Sequence, residues 1–127
     1  MILIDTDVMV DVLRRYEPAI GWLESLGSKE IGLPGLVAME LIQGCRDLND
    51  QQRVQSFVSM FSIYWPSDID CERAFMDFAA HRLANGLGLL DSLIAETAIG
   101  RGAVLVTFNG KHYGVIRELQ TLRPYSK

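Results

Sequence analysis

The sequence predicts an α/β fold in which a short central parallel sheet of about five strands is flanked by helices on both faces. Two observations carry this. Short apolar runs alternate with longer stretches whose apolar residues recur every three or four positions. The clearest of the short runs, Ile2-Leu3-Ile4 and Ala103-Val104-Leu105-Val106, are apolar throughout, which is how strands covered on both faces read. The length of 127 residues fits one domain with an ordinary core, and no repeat, linker or low-complexity tract divides it.

Each element has a local reason. Ile2 to Ile4 is the first strand, closed by Asp5. Asp7 to Arg15 follows as a helix with Val8, Val12 and Leu13 on one side. Pro18 opens a second helix, carrying Ile20, Leu23 and Leu26 inward and stopping at Gly27. Glu30 to Leu33 is a weaker strand before Pro34. Leu36 to Arg46 and Asp50 to Met60 are the third and fourth helices, the latter with Val54, Phe57 and Val58 inward. Phe61 to Trp65 is aromatic and β-branched and stops at Pro66, so it reads as a strand. Asp68 is the expected N-cap of a helix reaching about Asn85, with Ala74, Phe75, Phe78 and Leu83 on its apolar side. Leu90 to Ile99 is a further helix, ended by Gly100 and Gly102. Ala103 to Val106 is the fourth strand, and Thr121 to Arg123 a last short one before Pro124.

Composition excludes several classes. With 49% hydrophobic and 22% charged residues the chain is neither disordered nor fibrous. Two cysteines, Cys45 and Cys71, make no CxxC pair and suit a reducing cytoplasm. The longest charge-free stretch, Val54 to Ser67, is broken by serines and a proline and is too short to span a membrane. The N-terminus meets an acid at Asp5 with no basic residue before it, unlike a signal peptide.

In open parallel sheets ligands bind beyond the carboxyl ends of the strands. Asp5 to Asp7 and Thr107 to His112 occupy that position. Three acids also sit where periodicity asks for apolar residues. Asp5 ends the first strand, Glu40 shares a stripe with Leu36, Val37 and Gly44, and Asp91 shares one with Ile94, Ala95 and Ala98. An isolated buried carboxylate is costly and is usually paired or bound to a metal. No lysine or arginine lies on these stripes, so a hard, oxygen-preferring cation such as Mg²⁺ or Mn²⁺ would join them. Taken singly, each acid has a local reading: Asp5 as an N-cap, Asp91 as a first-turn acid, Glu40 at a half-exposed helix edge. Taken together, the site reading is stronger.

The same residues carry a family likeness. Ile4-Asp5-Thr6-Asp7 resembles the amino-terminal Asp-Thr-Ser/Asn motif of PIN-domain ribonucleases. Glu40-Leu41-Ile42-Gln43-Gly44 is similar to the family's Glu-Leu-x-x-Gly helix, and Asp91-Ser92-Leu93-Ile94-Ala95 to its Asp-x-x-Ile-Ala helix. Thr107-Phe108-Asn109 resembles its Thr-x-Asn turn. The four blocks stand in family order over nearly the whole chain, most like the VapC-type toxins of bacterial toxin–antitoxin pairs. The resemblance implies a metal-dependent endoribonuclease in which Asp5, Glu40 and Asp91 hold Mg²⁺ (or Mn²⁺), and Thr6, Thr107 and Asn109 orient carboxylate, water or phosphate. It implies cleavage to a 5′-phosphate and a 3′-hydroxyl, an RNA substrate, a cognate antitoxin protein as partner and a homodimer.

One position departs from the pattern. His112 stands where the family commonly has a fourth acid. A second metal would then be held weakly, and His112 either contacts phosphate, ligates Mn²⁺, or is a partly exposed loop histidine. The other histidine, His81, falls mid-helix as a surface or core residue. Asp7 reads as a helix cap with a peripheral site role. Asp11, one turn on, either orients a water at the rim or is solvated charge. Arg14, Arg15, Arg46 and Lys111 are the candidates for limited phosphate contact.

Other readings fit less well. Asp5-x-Asp7 also resembles haloacid dehalogenase-type phosphatases, but Met9 stands where they need Thr or Val. A receiver domain would need lysine where Thr107 stands, and Gly86-Leu87-Gly88 is too short for a phosphate loop. The non-enzymatic alternative is a catalytically weak or inactive interaction module held by an antitoxin-type partner. Its groove would be built from Trp22, Leu23, Leu26, Phe57, Met60 and Phe61. The net charge of −4 disfavours nucleic acid at first sight. Set the three site acids aside and the remainder is nearly neutral, which leaves a small, metal-centred footprint on RNA.

Overall fold

Five short strands lie side by side and all run parallel: β1 (Ile2–Ile4), β2 (Ile31–Pro34), β3 (Ser62–Tyr64), β4 (Val104–Val106) and β5 (Thr121–Leu122), in the spatial order β3-β2-β1-β4-β5. The computed structural model describes every residue from Met1 to Lys127. The helices are α1 (Thr6–Leu13), α2 (Glu17–Ser25), α3 (Gly35–Gln43), α4 (Leu48–Val58), α5 (Asp68–Asn85), α6 (Leu89–Gly100) and the single turn α7 (Gly110–Tyr113).

This order follows from chain chemistry. Parallel neighbours need crossover helices, and right-handed crossovers place the helices of the first half on one face and α5 and α6 on the other. The direction of winding reverses between β1, paired Ile2 to Ile31 on one side, and β4, paired Ile4 to Val106 on the other. The carboxyl ends of β1 and β4 therefore border the crevice where such sheets bind ligands. Leu3, Ile4, Leu33, Leu105 and Val106 are buried in the sheet, and Val8, Met9, Val37, Ile94, Ala95 and Ala98 cover them from the helices. No helix is long and apolar enough to cross a membrane.

Several expectations shift. α1 is capped by Asp5, whose side chain accepts from the Thr6 N–H, and not by Asp7. α4 begins at Leu48 with Asp47 as its cap, two residues before the expected start. α5 is capped by Ser67, not Asp68: its hydroxyl accepts from the Asp70 N–H while the Asp70 carboxylate accepts from the Ser67 N–H. Ala74 of α5 is buried as expected, but Phe75 and Leu83 are 70% and 90% exposed, so the apolar side of this helix is narrower than its sequence implies. α5 ends on Gly86 at φ 70°, a left-handed turn that glycine adopts without strain. Of the residues expected in a partner groove, Trp22, Leu23, Leu26, Phe57 and Phe61 pack on the core and Met60 is exposed, while Leu23 and Phe57 also line a cleft with Val12, Leu13 and Ile20.

Arg15 is the only non-glycine residue with positive φ, at 59°, where the chain turns from α1 towards α2. Its N–H donates to the Val12 carbonyl and the next N–H, of Tyr16, donates to Asp11.

Candidate active site

The site begins with the residue that leaves β1. The Asp5 N–H donates to the Val106 carbonyl at 2.9 Å, which continues the β1–β4 ladder by one bond and fixes the direction of the side chain. One carboxylate oxygen accepts from the Thr6 N–H at 2.8 Å, and the other from the Thr107 hydroxyl at 2.8 Å. The Thr107 Oγ1 accepts in turn from the Asn109 N–H at 3.0 Å, tightening the turn after β4. Asp5 is only 5% exposed. Burial first, and then the negative charge of Asp7, push its carboxyl up to about 6, against the hydrogen bonds from Thr107, Thr6 and Tyr113. No cationic side chain lies among these causes.

Glu40, half-buried in α3, joins from the β2 side: its Oε1 accepts from the Thr6 hydroxyl at 2.7 Å. Asp91 joins from the first turn of α6. Its Oδ2 accepts from the Gly88 N–H at 3.1 Å and lies 2.9 Å from His112 Nε2, and its Oδ1 lies 3.5 Å from the Tyr113 hydroxyl. Tyr113 is buried, and its hydroxyl hydrogen-bonds to Asp5 as well. Burial and the charges of Asp5 and Asp91 push its ionisation far above the ordinary range, so it stays a neutral donor between two acids.

Beyond the carboxyl ends of the strands, Thr6 thus connects Asp5 with Glu40 and Tyr113 stands between Asp5 and Asp91, while Thr107 bonds Asp5 alone. The sequence reading overlooked Tyr113. The signal was present, since it closes the block that opens with Thr107 and it is the largest fully buried side chain. His112, at the usual fourth-acid position, is hydrogen-bonded to Asp91. Asp7 is half-buried, with its carboxylate accepting from the Val8 and Phe108 N–H groups at 2.8 and 3.0 Å. Burial raises its pKa above the usual value, against those backbone donors. Asp11 is neither a solvated charge nor a rim group. It is buried and accepts from the Tyr125 hydroxyl at 2.7 Å and from Lys127 at 2.8 Å, and these partners outweigh burial to hold it below its ordinary value. Arg46 lines a cleft with Thr6 and Glu40, and Asn109 and Lys111 are exposed beside the Thr107 turn.

The donor set suits a hard divalent ion in its chemistry. It offers carboxylate oxygens alone, one of them desolvated beside a second acid with no cation to balance it. Its geometry is less closed. No three histidine, cysteine, aspartate or glutamate side chains converge tightly enough to enclose an ion. The hydroxyls of Thr6 and Tyr113 link the acids instead.

Known proteins share this arrangement of elements. A family model described as "PIN domain" matches residues 2–117. Ribonuclease VapC10 of Mycobacterium tuberculosis is 30% identical over 122 residues, covering 94% of this chain and 91% of its own. Ribonuclease VapC19 of the same organism is 33% identical over 128 residues, covering 94% and 98%. The crystal structure of VapBC2 from Rickettsia felis, bound to a DNA fragment from its promoter, superposes with a TM-score of 0.80 at 26% identity, over 96% of this chain and 98% of that one. The chain belongs to the PIN-domain family, alongside the VapC proteins within it.

Proposed function

We propose that the protein is a metal-dependent endoribonuclease and the toxin of a toxin–antitoxin pair. The observation that carries this is the chain of contacts at the carboxyl ends of the strands in which Thr6 connects Asp5 with Glu40 and Tyr113 connects Asp5 with Asp91. Relatives named as VapC ribonucleases support the reaction class, and the likeness to a VapBC complex supports an antitoxin partner.

Asp5, Glu40 and Asp91 would hold Mg²⁺ (or Mn²⁺), which when bound activates water and neutralises phosphate charge. Hydrolysis adds the water oxygen to phosphorus and breaks the bond to O3′, giving a 5′-phosphate and a 3′-hydroxyl. The chain's own groups prepare this. Thr107 and the Thr6 N–H hold both oxygens of Asp5 and favour its ionised form. Thr6 orients Glu40, and Tyr113 donates between Asp5 and Asp91 without ever adding a negative charge. Asn109 and His112 stand at the mouth, where an amide and an imidazole can contact phosphate oxygens.

A mixed pool of end-labelled RNA, incubated with Mg²⁺ or Mn²⁺ and in parallel with chelator, tests the proposal. Fragments bearing 5′-phosphates that appear only with the ion are expected. Equal cleavage in chelator, or none with either ion, overturns it.

A further inference from the structure

α6 carries a second acid that the site does not use. Glu96 follows Asp91 on this helix by five residues, which turns it about 140° further round the axis, to a different side from the site acids. It sits within the run Ile94 to Ala98, every residue of which is buried, and is itself 4% exposed. Asp77 of α5 is its neighbour, and one buried oxygen of each finds no hydrogen-bond donor. Carboxylate oxygens only accept, so two acids placed together cannot satisfy each other once both are ionised.

The pair opens into a cleft of about 420 Å³ between α5, α6 and the segment after α7. Met76 and Ile99 give it apolar walls, and Glu118 adds a third acid. Arg73 is the only cation on its border, and it is exposed and makes no ion pair. A buried, unpaired polar group implies a missing partner, and here that partner must donate hydrogen bonds and carry positive charge. A divalent ion fits poorly, since no three acidic side chains converge tightly enough to enclose one. A primary ammonium fits well. It brings three N–H donors on one charge, needs no closed cage, and trails an alkyl chain that Met76 and Ile99 would cover.

We propose that this cleft is a binding site for a short aliphatic diamine, with one ammonium on Asp77 and Glu96 and the second towards Glu118. Binding displaces the proton that Glu96 otherwise keeps, so the amine and that proton compete. Arg73 and Glu118 also face Glu96: the first eases its ionisation and the second opposes it. The cleft is separate from the acids at the strand ends and from RNA cleavage.

Putrescine is the probe, titrated at constant ionic strength against the parent, Glu96→Gln, Asp77→Asn and Asp5→Asn, with calorimetry and thermal melting as readouts. Tetramethylammonium, which donates no N–H hydrogen bond, and Mg²⁺ are titrated in parallel. The expected result is saturable one-site binding of putrescine to the parent and to Asp5→Asn. In Glu96→Gln and Asp77→Asn, with folding intact, it is weaker by at least about tenfold. Affinity of the parent should rise roughly five- to tenfold between pH 7 and pH 8.5, because Glu96 titrates at about 8, and this rise should vanish in Glu96→Gln. Equal binding by all four proteins marks general attraction to an acidic chain and overturns the site, as does an equal response to tetramethylammonium. Binding lost in Asp5→Asn but kept in Glu96→Gln puts the amine on the strand-end acids and also overturns it. Mg²⁺ binding that depends on Glu96 makes the cleft a metal site, and no putrescine binding at pH 8.5 leaves it without this ligand; either result overturns the proposal.

Discussion

The Thr107 hydroxyl donates to the Asp5 carboxylate at 2.8 Å, joining the ends of two neighbouring strands that are 102 residues apart in the chain. It is one of the hydrogen bonds that counter the burial of Asp5 and favour its charged form. Thr107→Val keeps the shape and removes the donor. Asp5 then moves further above about 6, and RNA cleavage near neutral pH falls by roughly 10- to 100-fold, the value of a hydrogen bond to a charged group. The acid limb of the pH–rate profile moves to higher pH, so raising the pH recovers part of the loss. A profile that superposes on the parent's contradicts this role.

Asp5 also weakens the fold at neutral pH. Its folded-state pKa of about 6 lies above the ordinary 3.8, so folding favours the protonated form. Its stabilising contribution is complete below about pH 4 and is lost as pH rises through about 6, a difference of about 3 kcal/mol for a shift of about two units. Asp5→Asn removes that dependence, and its amide oxygen still caps α1. The variant is expected to melt with the parent near pH 4 and several degrees above it at pH 7.5, by circular dichroism. Millimolar Mg²⁺ or Mn²⁺ raises the melting temperature of the parent and not of the variant. Equal melting of both proteins across this range contradicts the burial of an uncompensated charge.

His112 lies 2.9 Å from Asp91 where relatives of this kind commonly place an acid. His112→Asp replaces a hydrogen-bonding partner of Asp91 by a like charge. The variant is expected to melt below the parent in chelator and to gain more stability than the parent from added Mn²⁺. A divalent-ion titration followed by thermal melting distinguishes the two. An ion response equal to the parent's would show that this position does not face the metal.

Away from the site, Glu96 of α6 is 4% exposed and faces Asp77 of α5, and a buried oxygen of each lacks a partner. Burial and the neighbouring Asp77 raise the Glu96 pKa well above the carboxylate range, so Glu96 keeps its proton at neutral pH. The stability that the proton supports is present at low pH and is lost as pH rises through the raised value. Glu96→Gln is expected to match the parent in slightly acidic buffer and to melt above it at pH 9. A parent curve that stays flat from pH 6 to 9 would contradict the raised value of Glu96.

The parts of the site governed by local pattern were legible in the sequence. Asp5 follows an apolar strand, and Glu40 and Asp91 interrupt apolar helical stripes, so their position beyond the strand ends follows from the α/β class. The sheet order was not legible, because short strands alternating with helices are compatible with several windings. Asp11 was misread because its partners Tyr125 and Lys127 come from the far end of the chain. α7 was missed because four residues show no periodicity, and Tyr113 was missed with it. Phe75 and Leu83 were assigned inward on helical spacing alone, which does not reveal how wide a face the neighbouring helix covers.

The central claim is that Asp5 and Asp91 act on phosphodiesters and are not simply parts of the fold. The most direct measurement is the single-turnover rate of RNA cleavage, with Mg²⁺ or Mn²⁺, by the parent, Asp5→Asn and Asp91→Asn, each first shown to be folded by circular dichroism. Rates lower by at least about a hundredfold in both variants, with folding intact, are the predicted result. Ion-dependent cleavage at the parent rate in both variants would contradict it.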